Sequence, residues 1–478
     1  MTQGTQLRSL RQPARALVVL RHLGQIGLVL ASLIVVPTLF AYGDGDWPLA
    51  NRLLLFALLP ALALGACALI PPAARPMQDN EALIIAALAF ILGAALFVYP
   101  LRAGGLGTLD AWFESVSGVT TTGLSMVADP ERRSRSFLFT RAWMQWFGGL
   151  GIVVLSLALA AGRPADMRRL SDAASDEETV DQSVRLHARR VLLVYAVITL
   201  LGLALVWASG LPLFQALIHT LAAISTGGFS GFSDSLARLD RPSQAALGLI
   251  ACAGAAPLMV FHRAYTRGPL QLWRDPELRA LAVAILLAAP LLWWLGRLTP
   301  AHALAQAVFA QTTTGFSTLD LAGLDPVAKL VIILSMLTGG GVGSTAGGVK
   351  LLRVLILIRV VQLALLRVQV PPHGVLQPGP VGRTLEPAQI QHALLLLLLY
   401  PIVILLSWLP FLAAGHAPLD ALFDICSAVG TVGLSVGIVG PQLEPGLKLL
   451  LSLDMLLGRL EVLALLVLVY PGAWLKRP

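Results

Sequence analysis

Charge is scarce in this chain. Of its 478 residues only 13% are Asp, Glu, Lys or Arg, while 56% are hydrophobic, and the mean hydropathy is +0.78. No polar stretch is long enough for a separate soluble domain, so a nucleotide-binding or regulatory module would have to be another chain. Cysteine is also sparse: Cys67, Cys252 and Cys426 stand singly in apolar sequence, which fits neither a disulfide framework nor a metal site. Acids and histidines gather at no one interface, which argues against a membrane enzyme acting on lipid-linked substrates. What is abundant is apolar sequence, in runs long enough to cross roughly 30 Å of hydrocarbon as helices. The chain reads as a polytopic membrane protein.

Ten spanning helices are expected, near 23–42, 52–70, 81–100, 137–161, 189–209, 244–266, 279–296, 327–337 continuing to about 366, 390–412 and 446–470. An even number puts both ends on one side. The N-terminal Arg8, Arg11, Arg15 and Arg21 followed by an apolar run resemble a signal peptide. The run is long for one and lacks a small-residue cleavage site, so it reads as a retained helix. Basic residues concentrate in 1–22, 163–190, 262–279, 350–383 and the Lys476–Arg477 tail, which makes those segments and both termini cytoplasmic under the positive-inside rule. Arg132, Arg133 and Arg135 oppose this orientation, and Asp129 and Glu131 offset them only in part. The net charge of +8 suits anionic membrane lipid and requires no nucleic acid.

Between these helices lie four shorter apolar stretches, near 109–119, 213–224, 302–311 and 419–429. At 1.5 Å per residue they reach about halfway across a bilayer, as re-entrant half-helices would. Each runs into a Gly loop: TTTGLS ending at Ser125, STGGFS at Ser230, TTTGFS at Ser317 and GTVGLS at Ser435. When the copies are aligned on Gly123, Gly228, Gly315 and Gly433, the position nine residues upstream is Glu114, His219, Gln306 or Asp424, polar each time. Thirteen upstream stand Asp110, Gln215, His302 and Asp420; two downstream it is always Ser. The pattern is an internal fourfold repeat of helix, half-helix, loop and helix. Its period of about a hundred residues is far longer than that of a solenoid.

Non-helical backbone survives at membrane depth only when buried in protein or lining water. Four such loops around one axis would offer a dehydrated cation a shell of carbonyl oxygens. The candidate filter residues are Thr120, Thr121, Thr122 and Gly123; Ser225, Thr226, Gly227 and Gly228; Thr312, Thr313, Thr314 and Gly315; and Gly430, Thr431, Val432 and Gly433. The fourth copy contains the TVG tripeptide of K⁺-channel filters. Unequal copies predict fewer well-formed ion sites than four identical subunits would give. For any one copy, small residues packing two helices closely is an alternative, but packing does not predict the shared polar register. Glu114 and Asp424 are expected to bond loop amides behind the filter rather than to touch the ion.

At 338–350 the sequence TGGGVGSTAGGVK interrupts an apolar helix with Gly339, Gly340, Gly341, Gly343, Gly347 and Gly348, a density no ordinary helix tolerates. The order of a Walker A loop is missing and Lys350 comes too late for one. The segment, with Ser344 and Thr345, reads instead as a flexible loop beneath the pore that blocks or admits ions. Near the C-terminus Arg459 and Glu461 sit inside the apolar run Leu447–Tyr470, where a charge is usually functional. Two apart, they point to different sides of a helix. Arg459 is a candidate pore barrier or partner of the Gly-rich loop; a bridge to an acid on another helix is the alternative.

FESVSGVTTTG, IHTLAAISTGGFS, QTTTGFST, FDICSAVGTVGLS, LTGGGVGSTAGGVK and MLLGRLEVLALL together resemble the Trk/Ktr/HKT superfamily of potassium transporters, and within it the bacterial TrkH type. The resemblance covers nearly the whole chain. It implies an all-α membrane protein of four M1–P–M2 repeats with re-entrant pore helices around a pseudo-fourfold pore, plus two extra N-terminal helices. Residues 1–75 would be the helix pair, 76–165, 166–270, 271–383 and 384–478 the four repeats, the third holding the gating loop. The resemblance further implies K⁺ as the transported ion with no covalently bound cofactor, a homodimer in the bacterial inner membrane, and a cytosolic nucleotide-binding partner of TrkA type. The loop 338–350 and Arg459 would gate permeation. The second copy, STGGFS, departs from the asparagine-containing form of many members. A different class of function, alternating-access transport of another cation or small solute, would require coupling acids beside broken helices at the midplane; the chain has broken helices but few membrane carboxylates, and channel-like and H⁺- or Na⁺-coupled transport both remain open.

Overall fold

The structure, a computed structural model, describes residues 13–73, 77–161, 179–369 and 387–475. Arg8, Arg11, the Lys476–Arg477 tail, most of the basic segment 163–190, residues 370–383 of another and the expected boundaries near 75, 165 and 383 lie outside the described residues. The described residues form helices and no strand. In chain order the main ones are α1 (Ala16–Gly43), α2 (Trp47–Ala68), α3 (Asp79–Leu101), α4 (Thr108–Val119), α5 (Arg135–Ala161), α6 (Thr179–Ala208), α7 (Leu213–Ile224), α8 (Arg241–Ala255) and α9 (Leu258–Arg267). They continue with α10 (Leu270–Arg274), α11 (Pro276–Trp294), α12 (Pro300–Gln311), α13 (Pro326–Thr338), α14 (Leu351–Gln369), α15 (Pro387–Ala413), α16 (Pro418–Val429), α17 (Pro445–Arg459) and α18 (Leu463–Val469). Among the described residues six of these, α1, α2, α3, the 188–208 part of α6, α11 and α15, are long and apolar enough to cross a membrane. The chain is a multi-pass membrane protein.

Three expected spans are broken. The run at 244–266 is two helices, α8 and α9, bent by 91°, because Pro257 at the break has no N–H with which to continue the ladder. The run at 446–470 divides into α17 and α18 around Glu461 and Val462, whose φ values are 55° and 61°. The third break, between α13 and α14, falls at the Gly-rich segment where the sequence places it.

The four short helices α4, α7, α12 and α16 are twelve residues each. Each packs against the long helix before it, and the helix after it packs against the next short helix as well: α5 on α7, α8 on α12, α13 on α16 and α17 on α4. The last contact returns from the fourth short helix's partner to the first, so the packing is cyclic. Glycine permits the close approach at Gly148, Gly254 and Gly458, where a Cβ would strike the final carbonyl of the neighbouring short helix, that of Val119, Ile224 or Val429. Lysines tie two of the seams: Lys329 to Asp420 at 2.7 Å and Lys448 to Asp110 at 2.6 Å. α1 and α2 pack on each other and on α3 outside this ring. Arg15, ahead of α1, is anchored to the buried Glu81 of α3 at 2.8 Å.

Candidate functional site

The four Gly loops leave their short helices in the same way. The N–H of the third loop residue returns to a carbonyl five residues back: Thr122 to Ser117 at 2.9 Å, Gly227 to Ala222 at 2.8 Å, Thr314 to Phe309 at 3.0 Å and Val432 to Ser427 at 2.8 Å. This is the Schellman ending of a helix, which normally places glycine at the left-handed residue. Here that residue is Thr121, Thr226, Thr313 and Thr431, with φ between 48° and 53°. A side chain in that conformation costs roughly 1–2 kcal/mol, and four threonines in it mark a site that the surrounding packing holds strained. Threonine stands at this position, two residues before the loop glycine, in all four copies.

Two residues on, the chain turns left-handed again at Gly123, Gly228, Gly315 and Gly433, with φ from 73° to 96°. A Cβ on Gly123 would strike the carbonyl oxygen of Gly227. On Gly228 it would strike that of Thr314, on Gly315 that of Val432, and on Gly433 that of Thr122. Each loop thus abuts the next, and the fourth abuts the first. The four carbonyls of Thr122, Gly227, Thr314 and Val432 are the points of contact around this closed ring of loops. On one side of this ring a cavity of about 450 Å³ is lined by all four of these glycines and by Ser125, Ser230, Ser317 and Ser435.

The polar residues nine positions upstream lie behind the loops. Glu114 accepts from the Met126 N–H at 2.8 Å and from the Ser125 hydroxyl at 3.1 Å; Asp424 accepts from the Val436 N–H at 2.9 Å and the Ser435 hydroxyl at 2.7 Å. His219 reaches the Ser230 hydroxyl at 3.0 Å. Gln306 makes no such contact, and neither of its amide atoms has a partner among the described residues. Glu114 is also paired at 2.6 Å with Arg141 of α5, both side chains being buried. Arg141 further donates to the Ser125 hydroxyl at 2.9 Å and stacks over Phe229, 4.0 Å from its centroid, so it links the first loop to the second.

Of the arginines that oppose the expected orientation, Arg133 donates to the Gly104 carbonyl and Arg135 stacks over Phe214. Their neighbour Glu131 accepts from the Ser233 N–H and hydroxyl and pairs with Arg238 at 2.8 Å. Partial burial works to raise its proton affinity, yet these donors and the Arg238 charge together hold its carboxyl below the ordinary carboxylate range.

The side of the ring away from the cavity meets the Gly-rich segment. Gly347 donates to the Thr313 hydroxyl at 2.7 Å and Gly348 to the Gly430 carbonyl at 2.9 Å; a Cβ on Gly347 would strike Gly430 and the Thr431 hydroxyl. The Thr345 hydroxyl lies 2.9 Å from the carbonyls of both Ile224 and Gly254 and 3.4 Å from the Thr226 hydroxyl. The segment is also stitched to the α8–α9 break, Gly341 donating to Ala255, Thr345 to Gly254, and Leu258 back to Gly343. These bonds satisfy backbone that two interrupted helices leave unpaired. Gly339, Gly343, Gly348 and Lys350 take positive φ, Gly340 accepts from the Leu351 N–H, the Ser344 hydroxyl donates to Gly341 at 2.6 Å, and the Lys350 ammonium donates to Ala346. Arg459 donates to the Thr345 carbonyl at 2.8 Å and to that of Gly148 at 3.4 Å. Glu461 turns elsewhere, to Arg353 at 2.5 Å.

A family described as a cation transport protein, TrkH, matches residues 75–297 and 299–473. The chain belongs to the TrkH family. It is 28% identical to the Trk system potassium uptake protein TrkH of Salmonella typhimurium, over 95% of this chain and 98% of that protein. It is equally 28% identical to an uncharacterized cation transporter of Methanocaldococcus jannaschii, over 82% of this chain and 83% of that one. The crystal structure of the potassium transporter TrkH from Vibrio parahaemolyticus has the same fold, with a TM-score of 0.84 at 24% identity over 96% of this chain and all of that one.

In this TrkH-family chain several residues at the ring escape sequence reading. Arg141 and Gln145 stand in a long apolar helix without a motif of their own, and Tyr400, whose hydroxyl donates to the Gly458 carbonyl at 3.0 Å, looks like any core aromatic. The break at Glu461 and Val462 has neither Gly nor Pro at its positive-φ residues, the nearest, Gly458, lying three residues back in α17.

Proposed function

We propose that the chain conducts K⁺ across the bacterial inner membrane through the ring of the four Gly loops. The observation that carries this reading is the cyclic abutment of Gly123, Gly228, Gly315 and Gly433 on the carbonyls of Gly227, Thr314, Val432 and Thr122. A closed ring of backbone oxygens in a water-poor site is the arrangement that replaces a cation's hydration shell, and the names of the relatives, potassium uptake proteins, make K⁺ the ion to test first. The short helices point their C-terminal, partially negative ends toward the ring, which favours a cation there. On this reading residues 76–165, 166–270, 271–383 and 384–478 are four M1–P–M2 repeats around a pseudo-fourfold pore and residues 1–75 are an added helix pair. Both termini then lie in the cytoplasm.

The Gly-rich segment is the gate on the inner side of the filter, and Arg459 is its latch. A cytosolic nucleotide-binding partner of TrkA type would act by moving α14, which begins directly after the gate, and the pore-forming unit would be a homodimer. Uptake of radioactive Rb⁺ into proteoliposomes containing the purified chain, with excess Na⁺ or Li⁺ as competitor, tests the reading. Rb⁺ should accumulate and resist both competitors. A vesicle population that takes up no cation with or without the partner removes it.

A further inference from the structure

The second loop departs from the others at one position. Where the remaining copies carry Thr122, Thr314 and Val432, it has Gly227, and the space a side chain would fill there is occupied by the amide of Gln145 from α5: a Cβ on Gly227 would meet all three atoms of that amide within 2.8 Å. Gln145 is fully buried. Its Nε2 donates to the Gly227 carbonyl at 2.6 Å and its Oε1 accepts from the Phe229 N–H at 3.0 Å. When the helices that follow the loops are aligned on Gly148, Gly254 and Gly458, each packed on a short-helix end, the residues three before are Gln145, Ala251 and Met455. Only the first can donate a hydrogen bond.

We infer that Gln145 is a positioning residue that sets ion selectivity by pinning one carbonyl of the proposed filter ring. The inference rests on the reading of that ring as the filter. A carbonyl that accepts a buried amide N–H has part of its lone-pair density committed, and it is held in place by a fork that also grips Phe229. Coordination of Na⁺ requires the oxygens to close in on a smaller ion than K⁺; a carbonyl tethered from the side resists that movement while leaving the wider K⁺ geometry intact. Gln145 thereby compensates for the missing Thr or Val side chain, which at the other three positions packs the loop from within. It acts through Gly227 and does not itself touch the ion.

The test compares Rb⁺ uptake into proteoliposomes, with graded Na⁺ competition, for the wild-type chain, Gln145→Leu, Gln145→Met and Gly123→Ser. Gln145→Leu keeps most of the volume and removes the fork. Gln145→Met, unbranched and of similar volume, can neither donate to the Gly227 carbonyl nor accept from the Phe229 N–H and changes no ring residue, so it reads the contact even if the first variant does not accumulate. Both should continue to take up Rb⁺ with Na⁺ competing several-fold better than in the wild type, a shift in selectivity that a purely structural role would not produce. Unchanged competition in both, alongside altered competition in Gly123→Ser, overturns the role of Gln145 and leaves the filter standing. Unchanged competition in all three removes the filter reading and this inference with it.

Discussion

Arg459 and Thr345 lie 114 residues apart in sequence and meet at 2.8 Å, guanidinium to backbone carbonyl. The contact joins the last turn of α17 to the segment seated against the side of the ring away from the cavity. Arg459 is almost wholly buried, and its bonds run to the neutral carbonyls of Thr345 and Gly148. The bridge to an acid on another helix belongs instead to Glu461 and Arg353. A buried cation that donates to the Thr345 carbonyl stabilises the position of the Gly-rich segment in which that carbonyl faces it.

Arg459→Ala is therefore expected to raise the basal Rb⁺ flux of the chain reconstituted alone. A hydrogen bond to a charged group contributes about 1.5–3 kcal/mol, which corresponds to a roughly tenfold or larger shift toward the unlatched state. Flux into proteoliposomes at matched protein density measures it. A lowered unfolding temperature with no gain in flux would make Arg459 a structural residue.

Gly347→Ala tests the proposed gate by geometry. A methyl group at 347 would strike the Thr431 hydroxyl and the Gly430 carbonyl, so the segment cannot seat against the third and fourth loops. Basal flux should rise several-fold, with cation preference shifting less than in Gly123→Ser, because the methyl group meets the fourth loop at Gly430 and Thr431 and not at the carbonyls of Thr122, Gly227, Thr314 and Val432. A variant as closed as the wild type would place the gate elsewhere.

The pair Glu114–Arg141 separates bracing from conduction. Removing one partner leaves a buried charge uncompensated, which typically costs about 3–5 kcal/mol, whereas removing both is far milder. Arg141→Met should lower the thermal unfolding midpoint in detergent sharply, and Glu114→Gln combined with Arg141→Met should recover most of the loss. Equal midpoints for the single and double variants would mean that Arg141 acts through Phe229 and the Ser125 hydroxyl alone.

The parts of this architecture that the sequence makes legible are those with a local cause. Half-helices of twelve residues follow from apolar runs too short to span, and the break after Thr338 follows from glycine density. The placing of Glu114 and Asp424 on loop amides follows from their register with the loops. What escapes is set by tertiary contact. Val462 takes a φ of 61° although β-branched residues rarely do, and nothing within its own segment announces the turn. The α8–α9 bend has a local cause in Pro257, but its 91° amplitude goes with the Gly-rich segment that bonds to the freed carbonyls of Gly254 and Ala255. Gln306 shows the converse: it stands in the same register as Glu114 and Asp424, yet neither of its amide atoms has a partner among the described residues, since Ser317 turns its hydroxyl to Leu319 and donates its N–H to the Ser235 hydroxyl.

The most direct test of the ring as a K⁺ filter is the competition of Na⁺ and Li⁺ against Rb⁺ uptake in Gly123→Ser and Gly315→Ser proteoliposomes. A side chain at either position enters the space of the neighbouring loop's carbonyl at a φ that disfavours it. Both variants are predicted to lose discrimination against the smaller ions while still folding; wild-type discrimination in both would contradict a filter made of these four loops.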